Sequence, residues 1–177
     1  MNNLKKLSNL LSKRNLIEEE IGKIIGRPAI TGHLGEYIAS NIFDIKLSES
    51  ASHKGLDGYF QSTVLKGASV NIKWYLVQGN LLDITPLYLP DYYLVMLGSS
   101  TNQSSSKGKI YPAKIGSVHL FKSSLLVSQL NKKGVKIGTA TSVSKDLWDI
   151  AEIYPRQKSC EILVTEEQKE LIELFDS

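Results

Sequence analysis

Three residues of this sequence have the types and spacing for phosphoryl chemistry: Glu36, Asp57 and Lys73. Asn71 and Lys73 lie two apart in the apolar run Val70–Tyr75, so their side chains share one face of a strand. Ile72 and Trp74 point to the other face. A lysine inside an otherwise hydrophobic strand is costly unless something pairs with it. Asp57 opens an earlier strand that can fold back antiparallel and bring its carboxylate toward that lysine. Glu36, on a helix just before, can cover the same end. Two carboxylates about 5 Å apart repel by roughly 3 kcal/mol at an effective dielectric near 20. Lys73 is one group that can offset this; a divalent cation is the other. Oxygen ligands suit Mg²⁺ or Mn²⁺ rather than zinc. The chemistry that follows is metal-assisted attack of water on a phosphodiester, with Lys73 supporting the developing charge. A plainer reading remains open, in which Lys73 only bridges Glu36 or Asp57 inside the core.

The elements that must position these groups can be read from periodicity. Leu4, Leu7 and Leu11, then Ile17, Ile21, Ile24 and Ile25, recur at helical spacing. They predict two helices, or one bent helix, over about 3–25, with Asn15 and Glu18 as an internal start signal and Gly26 and Pro28 as the stop. Thr31 is the expected cap of a second helix to about Phe43. Leu34, Tyr37, Ile38, Ala39, Ile42 and Phe43 cover most of its circumference, which predicts burial. His33, Glu36 and Ser40 form one polar stripe, expected to face either solvent or the site. Residues 57–64 and 68–77 read as hairpin strands with Lys66 and Gly67 at the turn. Residues 91–97 read as a central strand, with one of Tyr92 and Tyr93 facing inward. Residues 99–109 are rich in Ser, Thr, Asn and Gly and predict a flexible loop. A short strand over 118–121, a helix to about Asn131, a helix over 144–153, a strand over 160–164 and a final helix through Phe175 complete the pattern. That last helix opens on the capping box Thr165–Gln168.

Composition bounds the alternatives. The chain has 177 residues, which fits one domain better than two and can bury a core without disulfides. Its single cysteine, Cys160, forbids an internal disulfide and is expected to be a small buried hydrophobe in a protein of a reducing compartment. No run approaches a membrane span, and the first 14 residues lack a signal-peptide pattern, so the expected location is cytoplasmic. A net charge of +3 permits a polyanionic partner without demanding one. Three histidines without paired spacing argue against a zinc centre. His33 and His53 are expected to face solvent, and His119 to be packed in an apolar strand. Gly32 and Gly35 lack the Gly-Lys-Ser/Thr ending of a phosphate loop. Ser104, Ser105 and Ser106 have no nucleophile-elbow context. Asp83 reads as a turn residue. Trp74 and Tyr75 read as core. Lys46, Lys54, Lys66, Lys107, Lys109 and Lys114 are scattered near the expected mouth and suit either phosphate neutralisation or solubility.

The arrangement resembles the PD-(D/E)XK nuclease superfamily, which includes restriction endonucleases and Holliday-junction resolvases. The likeness rests on helix-borne Glu36, on Asp57 opening a hairpin, and on Asn71, Ile72 and Lys73 in the place of the (D/E)-X-K triplet. It covers roughly residues 31–98. It implies a restriction-endonuclease-like α/β fold, a mixed central sheet with helices on both faces. Residues 1–30 would form an N-terminal helical segment, 31–98 the catalytic core, 99–109 the loop and 110–177 a C-terminal α/β part. It implies further a Mg²⁺- or Mn²⁺-dependent endonuclease acting on DNA, with RNA as the lesser choice. Asp57 and Glu36 would be metal ligands, joined by Asn71 and the Ile72 carbonyl, and Lys73 the catalytic lysine. A homodimer would suit cleavage of both strands. Leu56 stands where the superfamily has proline, and Asn71 where it has an acid; an amide oxygen can bind a cation but adds no negative charge. That second departure leaves a rival, a catalytically degenerate nuclease-fold domain that binds nucleic acid or serves assembly. Gly32 to Glu36, Lys73 to Tyr75 and Ala151 to Pro155 are also similar to a bacterial family of uncharacterised domains, which implies nothing about function.

Overall fold

The computed structural model describes residues 2–49, 55–77, 79–98 and 112–176. The first helix, α1 (Asn2–Ile25), is continuous. Asn15 and Glu18 start nothing, because Glu18 pairs with Arg14 one turn back, at 2.7 Å, and the helix runs through. Gly26, at φ 69°, ends it in a left-handed conformation that glycine adopts without strain. α2 (Thr31–Ile42) follows, with Ile30 rather than Thr31 in the cap position and no side-chain cap bond. Its Gly35, Ile38, Ala39 and Ile42 are buried.

Three antiparallel strands come next: β1 (Ile45–Leu47), β2 (Gly58–Phe60) and β3 (Ser69–Tyr75). β1 had no signal in the sequence, and β2 is less than half as long as the expected strand over 57–64. Residues 61–68 form a wide turn instead, with Thr63 and Gly67 both at positive φ. The chain then crosses to β5 (Tyr92–Leu97), parallel to β3, through a segment carrying the two-residue β4 (Leu81–Leu82) and, among the described residues, no helix. Parallel neighbours need a crossover, most often helical; here β4 is held by β7 (Thr141–Ser142) in a small second sheet. Asp83 secures this crossover, accepting from Ala140 N–H at 2.7 Å and facing the Tyr75 hydroxyl. β6 (Ser117–Lys122), α3 (Ser123–Lys132), α4 (Lys145–Ala151), β8 (Glu152–Tyr154) and α5 (Glu166–Glu173) complete the chain. The main sheet is mixed, ordered β1-β2-β3-β5-β6-β8.

Alternation in β3, β5 and β6 sends successive side chains into two separate cores. Val70, Ile72, Trp74, Leu94, Met96 and Leu120 pack under α2 and α5. Tyr93, Val95, Leu97 and Phe121 pack under α3 and α4. The domain is therefore α/β with helices on both faces of the sheet. α2 lies very close to β3: a Cβ on Gly35 would stand 2.9 Å from the Trp74 Cβ, so only glycine fits there. The parallel register of β3 and β5 is pinned at its start, where Asp91 accepts from Ser69 N–H at 2.8 Å and from its hydroxyl at 2.6 Å. Those bonds hold the Asp91 carboxyl below the usual carboxylate range.

Residues 160–164 are not a strand. The Gln157 side chain binds this segment instead, donating to the Ser159 and Ile162 carbonyls and accepting from Val164 N–H. Cys160 is exposed, contrary to its expected burial. The capping box at Thr165 and Gln168 is formed as read, with each side chain bonding the other's backbone. Among the described residues no helix is long and apolar enough to cross a membrane. The loop over 99–109, His53, Lys54, Lys107 and Lys109 lie outside the described residues.

Candidate functional site

Asp57 stands where β2 begins to part from β3. Its backbone N–H donates to the Val70 carbonyl at 3.0 Å, and its carboxylate Oδ2 accepts from Ile72 N–H at 2.6 Å. The side chain thus takes the place of the main-chain carbonyl that a longer β2 would have supplied. In a strand, a residue's N–H and C=O point to the same side, so the Ile72 carbonyl faces the same gap.

Asp57 is half-buried, and its carboxyl is raised above the usual carboxylate range. Burial is the largest cause; the Ile72 N–H opposes it, the Glu36 charge adds to it, and the charges of Lys73 and Arg27 draw it back. Three residues from three elements therefore act on one carboxylate: Glu36 from the middle of α2, Lys73 from β3, and Arg27 from the α1–α2 connection. Glu36 and Lys73, with Asp57 itself, are the three members of the cluster read from the sequence.

Each member has a distinct environment. Glu36 is ion-paired through Oε2 with the Arg27 guanidinium. Arg27 was absent from the sequence reading, since a lone arginine between Gly26 and Pro28 carries no periodic or motif signal. Lys73 is half-buried and, among the described residues, forms no ion pair within 4.0 Å. This departs from the core-bridge reading. Asn71 is 3% exposed, and its Oδ1 has no hydrogen-bond partner among the described residues. Its register neighbour on β5 is Tyr93, whose buried hydroxyl is likewise unpartnered. The Thr85 backbone faces that hydroxyl without meeting it in hydrogen-bonding geometry. Burial raises the Tyr93 hydroxyl above its ordinary value, the Thr85 backbone opposes this, and the Asp57 charge adds to it. Buried polar groups are nearly always satisfied; these two are unmet on register partners of neighbouring strands, as are Ser123 Oγ and Trp148 Nε1 elsewhere among the described residues. Both Tyr92 and Tyr93 are buried; they face opposite cores, and only Tyr93 borders the site.

The other members of the α2 stripe go elsewhere. His33 Nδ1 meets the Pro28 carbonyl at 2.9 Å, and Ser40 donates to the Tyr37 carbonyl at 2.8 Å. Trp74 is core, its indole N–H donating to the Lys114 carbonyl. Lys46 and Lys66 are exposed and Lys114 half-buried.

The donor set around Asp57 is made of oxygens: the remaining Asp57 oxygen, Glu36, the Ile72 carbonyl and the unmet Asn71 Oδ1. It fits a hard divalent cation by chemistry. It is poorer in charge than a site with three acids, and no group of three or more His, Cys, Asp or Glu that could hold a metal is present among the described residues.

Away from this site, His119 behaves as the packed histidine expected. Its Nδ1 meets the Trp148 carbonyl and its Nε2 the Ser117 hydroxyl, both at 3.0 Å, and Trp148 stands edge-on to the ring. A carbonyl can only accept, so Nδ1 carries the proton and Ser117 donates to Nε2. Glu152, almost fully buried, is held by Arg156, which also reaches Asp149.

Comparison of the chain with protein-family models and with curated proteins returns no match.

Proposed function

We propose that this protein is a Mg²⁺- or Mn²⁺-dependent nuclease that hydrolyses phosphodiester bonds of DNA, built on a restriction-endonuclease-like domain. The observation that carries the reading is the convergence of Glu36 and Lys73 on the half-buried, raised carboxyl of Asp57. The order of elements supports it: a helix bearing the glutamate, three antiparallel strands with the aspartate and lysine, then a parallel strand. Asp57, Glu36, Asn71 Oδ1 and the Ile72 carbonyl would hold the cation. When bound, the cation polarises a phosphoryl oxygen and lowers the pKa of a water. Lys73, free of any described ion pair, is left to stabilise the charge that develops on the phosphate and to orient the attacking water. The Ile72 N–H fixes the Asp57 carboxylate in one rotamer, so no reorganisation is needed there when the phosphate arrives. Arg27 ion-pairs Glu36 beside that second carboxylate.

The decisive experiment measures Mg²⁺- and Mn²⁺-dependent cleavage of linear, branched and single-stranded nucleic acids by the wild type and by Lys73→Ala. Cleavage by the wild type and its loss in the variant are expected. Equal cleavage by both proteins refutes the assignment.

The second reading, a degenerate nuclease-fold domain that binds nucleic acid without cutting it, draws on two observations. Asn71 contributes no charge, and Arg27 already occupies one oxygen of Glu36. Thermal unfolding with and without Mn²⁺ separates the two readings, because only a competent site is stabilised by the ion.

A further inference from the structure

Most of helix α1 is left uncovered by its own domain. It spans 24 residues, about 36 Å. Residues 3–17 are all exposed, and only Glu18, Ile21, Gly22 and Ile25 are half-covered where the helix approaches the body of the domain. Yet its surface carries an apolar stripe at alternating steps of three and four: Leu7, Leu10, Arg14, Ile17, Ile21 and Ile24. Leu7, Leu10, Ile17 and Ile24 are 51%, 52%, 57% and 68% exposed. Leu4 and Leu11 flank the stripe, also exposed. A seven-residue repeat sustained along a helix is the pattern of a coiled-coil seam, and exposed apolar surface of this extent marks an interaction site.

We propose that α1 pairs antiparallel with α1 of a second copy of this chain. The partner is identified by complementarity of the stripe and of the charges with themselves. In antiparallel register the seam closes into layers of Leu7 with the partner's Ile24, Leu10 with the partner's Ile21, and Arg14 with the partner's Ile17, each occurring twice by symmetry. The same register sets Lys13 beside the partner's Glu20. Neither residue has an ion pair within 4.0 Å among the described residues. More broadly, Lys5, Lys6, Lys13 and Arg14 make the first half of the helix basic, and Glu18, Glu19 and Glu20 outweigh Lys23 and make the second half acidic. Head-to-tail pairing joins opposite charges. Parallel pairing would set Arg14 against Arg14 in the seam and basic half against basic half. Arg14 itself suits the seam: its guanidinium is already bonded to Glu18 of its own helix at 2.7 Å, and an arginine's aliphatic stem covers apolar surface while its head stays in water. One polar residue in such a seam specifies register and partner number.

The test is sedimentation equilibrium of the full chain over a concentration series, with circular dichroism of each variant. The wild type should be a dimer. Ile17→Asp, at an exposed position, should be monomeric with helix content retained and melting that no longer depends on protein concentration. Lys13→Glu and Glu20→Lys should each weaken association about tenfold, and Lys13→Glu combined with Glu20→Lys should restore it, because the swap rebuilds the same pair. A wild type monomeric throughout overturns the proposal, as does a dimer indifferent to Ile17→Asp. Single variants that the combination fails to rescue overturn the antiparallel register. A monomer that instead sediments with anionic vesicles assigns α1 to a membrane surface and overturns it too.

Discussion

The carboxylate of Asp57 accepts the backbone N–H of Ile72 at 2.6 Å, closing the ladder position that β2 leaves open. The same group carries an unfavourable charge, since burial and Glu36 hold its pKa above the ordinary carboxylate value. Asp57 therefore has two jobs that can be separated. Asp57→Ala leaves the Ile72 N–H unmet and should cost about 1–3 kcal/mol. Asp57→Asn keeps an acceptor and removes the charge, so its melting temperature should equal or exceed that of the wild type at neutral pH. A carboxyl with a raised folded pKa binds its proton more tightly when folded, so its favourable contribution is complete below the unfolded value and is lost as pH rises through the folded one. The advantage of Asp57→Asn over wild type should accordingly grow from acid toward neutral pH. Both variants should lack cleavage. An Asp57→Asn protein less stable than Asp57→Ala would refute this division of roles.

Among the described residues Lys73 makes no ion pair that its removal would break, so Lys73→Ala should change stability by less than about 1 kcal/mol. A core bridge predicts instead a loss of roughly 3–5 kcal/mol from a stranded buried charge. Denaturant unfolding of the variant, beside the cleavage assay, distinguishes a chemical lysine from a structural one.

Asn71 offers the sharpest test of competence. Asn71→Asp supplies the missing acid. Without metal it adds a buried carboxylate near Asp57 and should destabilise by on the order of 2 kcal/mol. With Mn²⁺ it should recover, showing a larger metal-dependent rise in melting temperature than wild type and faster cleavage. A variant destabilised equally with and without Mn²⁺ would mean that Asn71 Oδ1 does not face a cation.

His119 gives the fold a pH dependence independent of the site. Burial lowers its pKa, against the opposing Trp148 carbonyl and Glu152 charge. A histidine depressed in the folded state contributes stability above its unfolded value near 6.5 that is lost as pH falls through the folded one. Melting should therefore decline from about pH 6.5 downward, and His119→Gln should flatten that part of the profile while lowering the neutral-pH melting temperature. An unchanged acid limb in the variant would assign the loss to other groups.

The helices of this protein were legible where periodicity was long. α1, α2 and the Thr165–Gln168 box follow from spacing and side-chain chemistry within a few residues, and the strand β5 from its unbroken apolar run. The short elements were not. β1 has three residues and exists only through its pairing with β2. Residues 160–164 have the composition of a strand, but the Gln157 side chain meets their backbone first.

The site divides in the same way. Sequence by itself determined that Asn71 and Lys73 share a face and Ile72 and Trp74 the other, since a strand alternates whatever surrounds it. It also determined which groups could do chemistry. Only the tertiary structure decided that Glu36 and Lys73 act on one carboxylate, that Arg27 joins them, and that Tyr93 stands unmet beside Asn71. Those relations depend on the parallel register of β3 with β5 and on Gly35 letting α2 approach β3. Both join segments far apart in the chain, and the energies that select them come from packing and from burial of charge, which no local pattern of residues records.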